Sequence, residues 1–393
     1  MANYIFRRLL QAIPMLLGIA VISFLIVYLA PGSPVDRFRT GRVSAETIQN
    51  LIRLYGLDQP LLPLGVEHGT TFLIALGLGL LSLIFIAAFV LARRRNPPRR
   101  VRTYGIAALL LGLAAAAIGV AGYREWVFTV SWPGQMVSWL TSFIQVWRPD
   151  AWGYSFTDGQ PVIQKISERI PNTLLLMGTS LMLTVVIAIP VGIIGAIRQY
   201  SWTDKTITLF ATIGYAMPTF WLGLMLKYLL AFPGGPSGGV FPLFGMHQFG
   251  NESIPDLIYH MVLPVVTLTI VSVAGWSRYM RSSMLEVLRQ DYVRTAKAKG
   301  LQSSRVIYKH ALRNALIPIV TLLGLTIPSL LVGAAVTEAV YSWPGLGGMG
   351  VTAVIERDYP LVLAFVMVGG AMVIFGNLLA DVLYAFVDPR IKY

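Results

Sequence analysis

Few residues in this 393-residue chain have the type and spacing for chemistry of their own. Gly345-Leu346-Gly347-Gly348-Met349-Gly350 fits the G-x-G-x-x-G pattern of dinucleotide sites, where a tight glycine turn brings backbone N–H groups to a pyrophosphate. That chemistry needs a preceding strand and a following helix in a βαβ unit, whereas here the stretch follows a long apolar run. It reads instead as a flexible loop. No G-x-x-x-x-G-K-[ST] stretch occurs, so no P-loop is present to hold ATP. The four histidines, His68, His247, His260 and His310, have no metal-ligand spacing, and chain order offers no Ser-His-Asp set. The absence of cysteine excludes disulfides, thiolate metal sites and a Cys nucleophile. The expectation is no catalytic residue, no metal and no cofactor in this chain, and no enzyme activity. What remains are ionisable residues near apolar runs: Lys227, His260, Glu338 and Asp381. Such residues are functional candidates by default in a membrane, although a long Lys can snorkel and Asp381 can simply pair with a basic loop residue.

The elements that must position these residues are apolar runs. Hydrophobic residues make up 55% of the chain and charged residues 12%, against about a quarter charged in a soluble domain. Eight segments are long enough to cross a bilayer: 9–30, 71–92, 104–122, 172–197, 206–231, 260–278, 315–339 and 361–386. Their apolar character is continuous rather than alternating, and lipid offers no partner for backbone polar groups, so each reads as a helix. Arg7 and Arg8 precede the first run as in a secretory signal, but the run is long and ends in Ala30-Pro31-Gly32-Ser33-Pro34, a poor cleavage site. It reads as a retained span. Pro14, Pro190, Pro218, Pro264, Pro318 and Pro328 lie in or near spans, where proline kinks a helix; packing geometry and hinging both fit.

The net charge of +13 is distributed as topology demands rather than as a nucleic-acid surface. With the N-terminus inside, inner segments carry two basic residues at 7–8, six at 93–103, two at 198–205, nine at 278–314 and two at 390–392, or 21 of 31. Both termini are thus expected in the cytoplasm. The run Arg93-Arg94-Arg95-Asn96-Pro97-Pro98-Arg99-Arg100 fixes 71–92 and 104–122 as an out-to-in, in-to-out pair. On the outside, residues 123–160 carry Trp126, Trp132, Trp139, Trp147 and Trp152, the composition of an interfacial helix. Residues 232–258 read as an irregular Gly/Pro-rich loop. The same topology puts the glycine-rich loop at 345–350 outside, away from cytosolic nucleotides.

The largest inner segment is Ser283 to Pro318. Met284–Lys299 reads as one helix with apolar positions at Leu285, Leu288, Tyr292, Thr295 and Ala296. Gly300 ends it, and Ser303 or Ser304 caps a second helix leading into the next span. A small-residue bend (Ala296, Ala298, Gly300) flanked by Arg294, Lys297 and Lys299 suits insertion into an acidic groove of a partner. A basic hairpin on any membrane protein would look similar.

The wording of that hairpin resembles the EAA loop of ABC-importer permeases, closest to the dipeptide and oligopeptide branch. Its Asp291-Tyr292-Val293-Arg294-Thr295-Ala296-Lys297-Ala298-Lys299-Gly300-Leu301 and His310-Ala311-Leu312-Arg313-Asn314-Ala315 stretches are similar to that branch. So are the first span, Gly56-Leu57-Asp58-Gln59-Pro60, Arg169-Ile170-Pro171-Asn172-Thr173, Gly214-Tyr215-Ala216-Met217-Pro218, Thr337-Glu338, Ser342-Trp343-Pro344-Gly345-Leu346-Gly347 and Asp388-Pro389-Arg390. The likeness covers about 1–62 and 135–393. It implies an all-α, polytopic helical bundle of the type I importer fold, with six family spans and two more inserted at 64–122. Tyr292, Arg294, Thr295, Ala296, Lys297, Ala298, Lys299, Gly300 and Leu301 would then form the coupling helix that docks on a separate ATPase. Glu338, Trp343, Pro344 and Gly345 are candidates for an outer gate.

The implied organisation is a first span with its outer segment (1–62), an inserted two-span hairpin (63–123), an outer interfacial segment (124–168) and the permease core (169–387) containing the coupling loop (283–318). The implied function is half of the translocation pathway of an ABC importer for di- or oligopeptides in a prokaryotic cell membrane. Its expected partners are a second homologous permease, two cytoplasmic ATP-binding subunits, an extracytoplasmic substrate-binding protein and the lipid bilayer, with no nucleic acid. Nickel chelates, glutathione or other small solutes are alternative cargoes. A channel or secondary transporter is the rival class, for which an internal repeat or midplane charges would be expected; neither is seen.

Overall fold

The computed structural model describes residues 2–29, 34–35, 44–54, 57–58, 64–67, 74–83, 85–86, 98–122, 127–130, 135–145, 148, 150–232 and 239–387. Most of the Arg93–Arg100 run, Trp126, Trp132, Trp147, the Gly56, Gln59 and Pro60 positions and the closing Asp388-Pro389-Arg390 lie outside these. The described chain is mostly helical, with one short two-stranded ribbon and irregular stretches at 150–161 and 239–253. It divides into two compact units, Met1–Ala20 with Trp152–Tyr393, and Val21–Ala151.

Helix α1 (Ala2–Leu29) contributes to both units. In the smaller unit, Phe24 is fully buried, stacked 4.3 Å from Tyr28 and 6.0 Å from Trp139 between ring centroids. Trp139 lies on a ten-residue helix, Gln135–Ile144. Strands β1 (Leu64–Glu67) and β2 (Val127–Val130) pair antiparallel, with Leu64 opposite Val130 and Glu67 opposite Val127. This ribbon ties the two ends of the intervening segment together. A path that leaves and re-enters at one ribbon crosses a membrane an even number of times or not at all. Within that segment, apolar helices cover Ile74–Leu83 and Gly105–Ile118. They touch through small residues: Ser82 Oγ donates to Ala108 O at 2.8 Å, and a Cβ on Gly112 would sit 3.2 Å from that hydroxyl. Most of their leucines and isoleucines are exposed.

The larger unit holds the remaining long helices. After α1 come α2 (Val162–Ile197), α3 (Trp202–Ala216), α4 (Thr219–Leu226, continued by a π-helical turn Lys227–Ala231), α5 (Ile254–Leu288), α6 (Asp291–Ala298), α7 (Ser303–Ala315), α8 (Ile317–Val332), α9 (Ala335–Tyr341), α10 (Leu346–Ile355) and α11 (Tyr359–Val387). Four helices, within α1, α2, α5 and α11, are individually long and apolar enough to span. Two further helix pairs are long and apolar enough only when taken together, and each is bent: α3–α4 by 103° and α7–α8 by 42°. Together they make up to six membrane crossings among the described residues. The 103° bend falls at Met217-Pro218, where both residues are extended (ψ 126° and 134°). Proline lacks the N–H the helix needs and forces its predecessor out of the helical region.

Helices α2 and α5 run parallel and form the centre of the unit. A Cβ on Gly192 would lie 2.5 Å from Met280 Cβ and 2.8 Å from Ser277 O, so the helices meet backbone to side chain there. Helices α8 and α11 close similarly: a Cβ on Gly376 would be 2.8 Å from Pro328 Cα. In lipid, where neither helix gains by leaving water, such close approach supplies the packing energy. Gly192→Leu has no room to fit, and the milder Gly192→Ala is expected to cost about 1–3 kcal/mol by overpacking. The apparent Tm of the purified protein in detergent should fall with Gly192→Ala; an unchanged Tm contradicts the close approach.

Candidate functional site

Two constellations sit at opposite ends of α2 and α5. The first is the hairpin α6–α7, at the end where both helices finish. Its sequence reads as a single helix from Met284 to Lys299, but the structure breaks it at Arg289-Gln290, with Gln290 extended (ψ 148°) ahead of Asp291. The break re-aims the apolar face. Leu288 and Val293 are five residues apart and would point away from each other on one helix. After the break, Val293, Ala296 and Val306 are buried together, with Val287, Leu288 and Leu301 around them. The inward positions are therefore 293 and 296, not Tyr292 and Thr295, both of which are exposed. Tyr292 accepts a 2.7 Å hydrogen bond at its hydroxyl from Asn314 Nδ2, which pins α6 to α7.

Gly300 takes a left-handed conformation (φ 73°), and its N–H donates to Lys297 O at 3.0 Å. A Cβ there would meet nothing within 4 Å. The glycine is thus required by its backbone turn, while the space beside it stays open on the surface. Of the nine residues named for docking, Tyr292, Arg294, Thr295, Lys297, Ala298, Lys299 and Gly300 are exposed, Leu301 is half-buried and Ala296 is buried against Val306. The second helix is not capped by a serine side chain; Gln302 is its N-cap and Ser303 and Ser304 lie inside it. Beneath the hairpin, Ile193, Ala196, Met280, Met284, Ala311, Ala315 and Ile319 form one buried cluster from α2, α5, α7 and α8. Ser283 Oγ adds a 2.8 Å bond to Ala315 O. A bidentate pair locks the same end: Arg281 Nε and Nη2 donate to Asp204 Oδ1 and Oδ2, each at 2.7 Å, and Tyr200 N–H donates to Asp204 at 2.9 Å. Asp204 is 3% exposed and has its lone pairs satisfied, as a buried carboxylate must.

The second constellation surrounds Glu338, which is fully buried. The apolar run at 315–339 does not reach it as one helix. Gly333, left-handed at φ 91°, ends α8, and Glu338 lies on the separate short helix α9. Its carboxylate accepts from Gly348 N–H at 2.6 Å, in the first turn of α10, and from Thr173 Oγ1 at 3.1 Å. Thr173 in turn accepts from Leu346 N–H at 2.7 Å. The carboxylate is the anion at the N-terminus of α10, where unpaired N–H groups and the helix dipole favour negative charge. The glycines make room for it: a Cβ on Gly345 would lie 2.3 Å from Glu338 Cδ, and one on Gly333 2.7 Å from Oε1. The G-x-G-x-x-G pattern is therefore the wall of an internal carboxylate. Trp343 Nε1 donates to Asn172 O and Asn172 Nδ2 donates to Pro344 O, both at 3.0 Å, so two motifs far apart in sequence are one joint. All four residues named as gate candidates meet here.

Sequence reasoning missed several partners. Lys227 donates to Val340 O at 2.7 Å, near the C-terminus of α9. Asp358 is buried ahead of α11 and accepts from Ser155 Oγ at 2.5 Å, while Thr157 Oγ1 donates to Glu356 at 2.9 Å, tying the 151–161 segment to the start of α11. Partial burial alone would raise the Asp158 carboxyl, but hydrogen bonds from Lys165, the Gln160 N–H and Ser155 together hold it below the usual range. The nearest sequence signal was the recurrence of polar residues, Asn172 and Thr173, at the head of an otherwise apolar run.

These features define a helical membrane transport subunit, with one exposed basic hairpin and one internally capped loop at the opposite end. Residues 188–393 match the family described as binding-protein-dependent transport system inner membrane component. The oligopeptide transport system permease protein AppB of Bacillus subtilis is 36% identical over 396 residues, covering 100% of both chains. The dipeptide transport system permease protein DppB of Escherichia coli is 40% identical over 259 residues, covering 61% of this chain and 76% of that one. Among solved structures, the inward-facing MetNI methionine ABC transporter is similar at 18% identity and a TM-score of 0.45, over 58% of this chain and 98% of that one. The chain belongs to the inner membrane permease family of binding-protein-dependent transport systems. It is a transport component rather than an enzyme.

Glu338→Ala leaves the Gly348 N–H and Thr173 hydroxyl without their acceptor, at about 1–3 kcal/mol each. Gly345→Ala pushes a methyl into the same carboxylate. The two effects share one cause, so the double variant should be no less stable than the worse single one. Thermal unfolding of the three purified variants checks this; additive losses contradict the cradle.

Proposed function

We propose that the chain forms half of the translocation pathway of a peptide importer, driven by a separate ATPase that grips the α6–α7 hairpin. The observation that carries the reading is the hairpin itself. Its exposed face presents Arg294, Lys297, Lys299 and a left-handed Gly300, and its buried face is continuous with the cluster around Met280 and Met284. A partner that moves such a hairpin moves the ends of α2, α5 and α8 with it. Peptide as cargo is supported by the names of relatives that align along the whole chain, with nickel chelates and other small solutes as the alternatives.

The proposed assembly comprises a second homologous permease, two ATP-binding subunits on the hairpin side and a substrate-binding protein on the other. The hairpin side is the cytoplasm, with both termini on it, which the excess of basic residues at 278–314 supports. ATP binds only the partner subunits, and this chain holds no cofactor. ATP-driven closure shifts the population between inward- and outward-facing states, to both of which the spans are common. Residues 169–387 carry the pathway, 1–62 supply the first span and outer segment, 63–123 form a peripheral hairpin against lipid, and 124–168 lie along the outer surface. Tyr292, Arg294, Thr295, Lys297, Ala298, Lys299, Gly300 and Leu301 make the docking surface, with Ala296 holding it from within. Glu338, Trp343, Pro344 and Gly345 set the outer joint.

Gly300 separates turn from docking. Gly300→Asn keeps a residue that tolerates the left-handed region, which costs most side chains about 1–2 kcal/mol. Gly300→Trp adds bulk where the partner would sit. The ATPase should copurify with the wild type, and Gly300→Trp should abolish both copurification and peptide uptake at normal membrane levels, with Gly300→Asn intermediate. Full uptake with Gly300→Trp, or no ATPase in the wild-type pull-down, overturns the reading.

A further inference from the structure

Lys227 is a buried cation with no carboxylate in ion-pair reach among the described residues, on α4, which is long and apolar enough to cross a membrane only together with α3. It is 9% exposed and opens the π-helical turn Lys227–Ala231 that prolongs α4. Such turns distort an otherwise regular helix and recur at functional sites. Its ammonium donates to Val340 O at 2.7 Å, and it lies 3.9 Å from the Phe244 ring centroid and 5.6 Å from that of Tyr341. The Tyr341 ring is fixed, sharing a 2.8 Å hydrogen bond with Thr267 Oγ1 and donating to Gly223 O at 3.1 Å. The neighbouring buried acid, Glu338, spends its carboxylate on Gly348 and Thr173. One carbonyl and two ring faces lower the cost of holding this charge, but none of them neutralises it.

We propose that the Lys227 ammonium is the point at which the permease recognises the carboxylate of its cargo. The inference rests on the peptide reading above, and names the chemical group recognised: a carboxylate, such as the C-terminus of a free peptide. Phe244 is 60% exposed, and its ring lies over the ammonium. Its loop is held to α9 by the 2.9 Å bond from Gly245 N–H to Tyr341 O, and Gly245 is left-handed at φ 81°. A rotation of the Phe244 side chain uncovers the cation and offers its ammonium N–H groups to an incoming anion. A purely structural lysine, capping the last carbonyls of α9, would need only a hydrogen-bond donor. Charge and donor capacity can therefore be separated.

The test uses the complete importer in proteoliposomes, with saturating binding protein, a free-carboxylate tripeptide and its C-terminal amide. Lys227→Arg keeps the charge, Lys227→Gln keeps a donor for Val340 O, and Lys227→Met keeps neither. Uptake of the free tripeptide should fall about tenfold in both Lys227→Gln and Lys227→Met, and stay within about threefold of wild type in Lys227→Arg. The amide should lose less than about twofold in any variant relative to its own wild-type rate. The binding protein's preference between the two peptides cancels in these comparisons. Near wild-type uptake of the free tripeptide with Lys227→Gln overturns the proposal in favour of a structural cap. So does an Arg variant as poor as Met, or an equal fall for both peptides. If the wild-type importer moves neither peptide, the peptide reading itself has failed, and the proposal with it.

Discussion

The packing of Val293 and Ala296 onto Val306 decides whether anything done to the hairpin can be felt in the spans. The hairpin is short and polar outside, and an isolated helix of eight residues is not stable in water. It holds its shape because its inner face is apolar and because Tyr292 and Asn314 tie its two arms. Below that contact the partly buried Val287 and Leu288 pack against a second buried cluster of Met280, Met284, Ala311 and Ala315 with Ile193 and Ala196 on α2. Close-packed interiors transmit displacement because they have little free volume to absorb it. The Arg281–Asp204 pair stiffens the same end by fixing α3 to α5.

At the far end of α2 and α5 a different device operates. Short helices cannot satisfy their own terminal backbone groups, and lipid supplies no water to do so. Here a buried carboxylate does it: Glu338 accepts from the backbone at the start of α10. The broken spans and the glycine-rich loop are tolerable in a membrane because their polar groups find side-chain partners inside the protein. The glycines follow from that arrangement, since a methyl on Gly345 and the Glu338 carboxylate cannot occupy the same space.

Much of this was legible in the sequence. Continuous apolar runs gave helices, the basic residues marked the hairpin, and Gly300 marked its bend. The break at Arg289-Gln290 was not legible, because good helix formers lie on both sides and only the burial of Val293 against Val306 selects the extended Gln290. Pro218 announced a kink, but the 103° turn needs both Met217 and Pro218 extended, which propensity alone does not set. The Asp204–Arg281 and Thr173–Glu338 pairs join residues 77 and 165 apart, and a single sequence carries no register for such contacts. The glycine-rich stretch read as a flexible loop, whereas the structure winds most of it into the first turn of α10 and packs it around the Glu338 carboxylate.

The central claim is that the exposed face of the hairpin is the surface a nucleotide-hydrolysing partner grips. The native chain has no cysteine, so a single cysteine at Lys299 gives an unambiguous probe. A short bifunctional cross-linker from that cysteine, applied to membranes containing the whole importer, should capture the ATP-binding subunit. The same reagent on a cysteine at Leu109, exposed on the apolar helix 105–118, should not. Capture at 299 whose yield changes when ATP is added is the predicted result. No capture at 299 in membranes that transport normally would contradict the account.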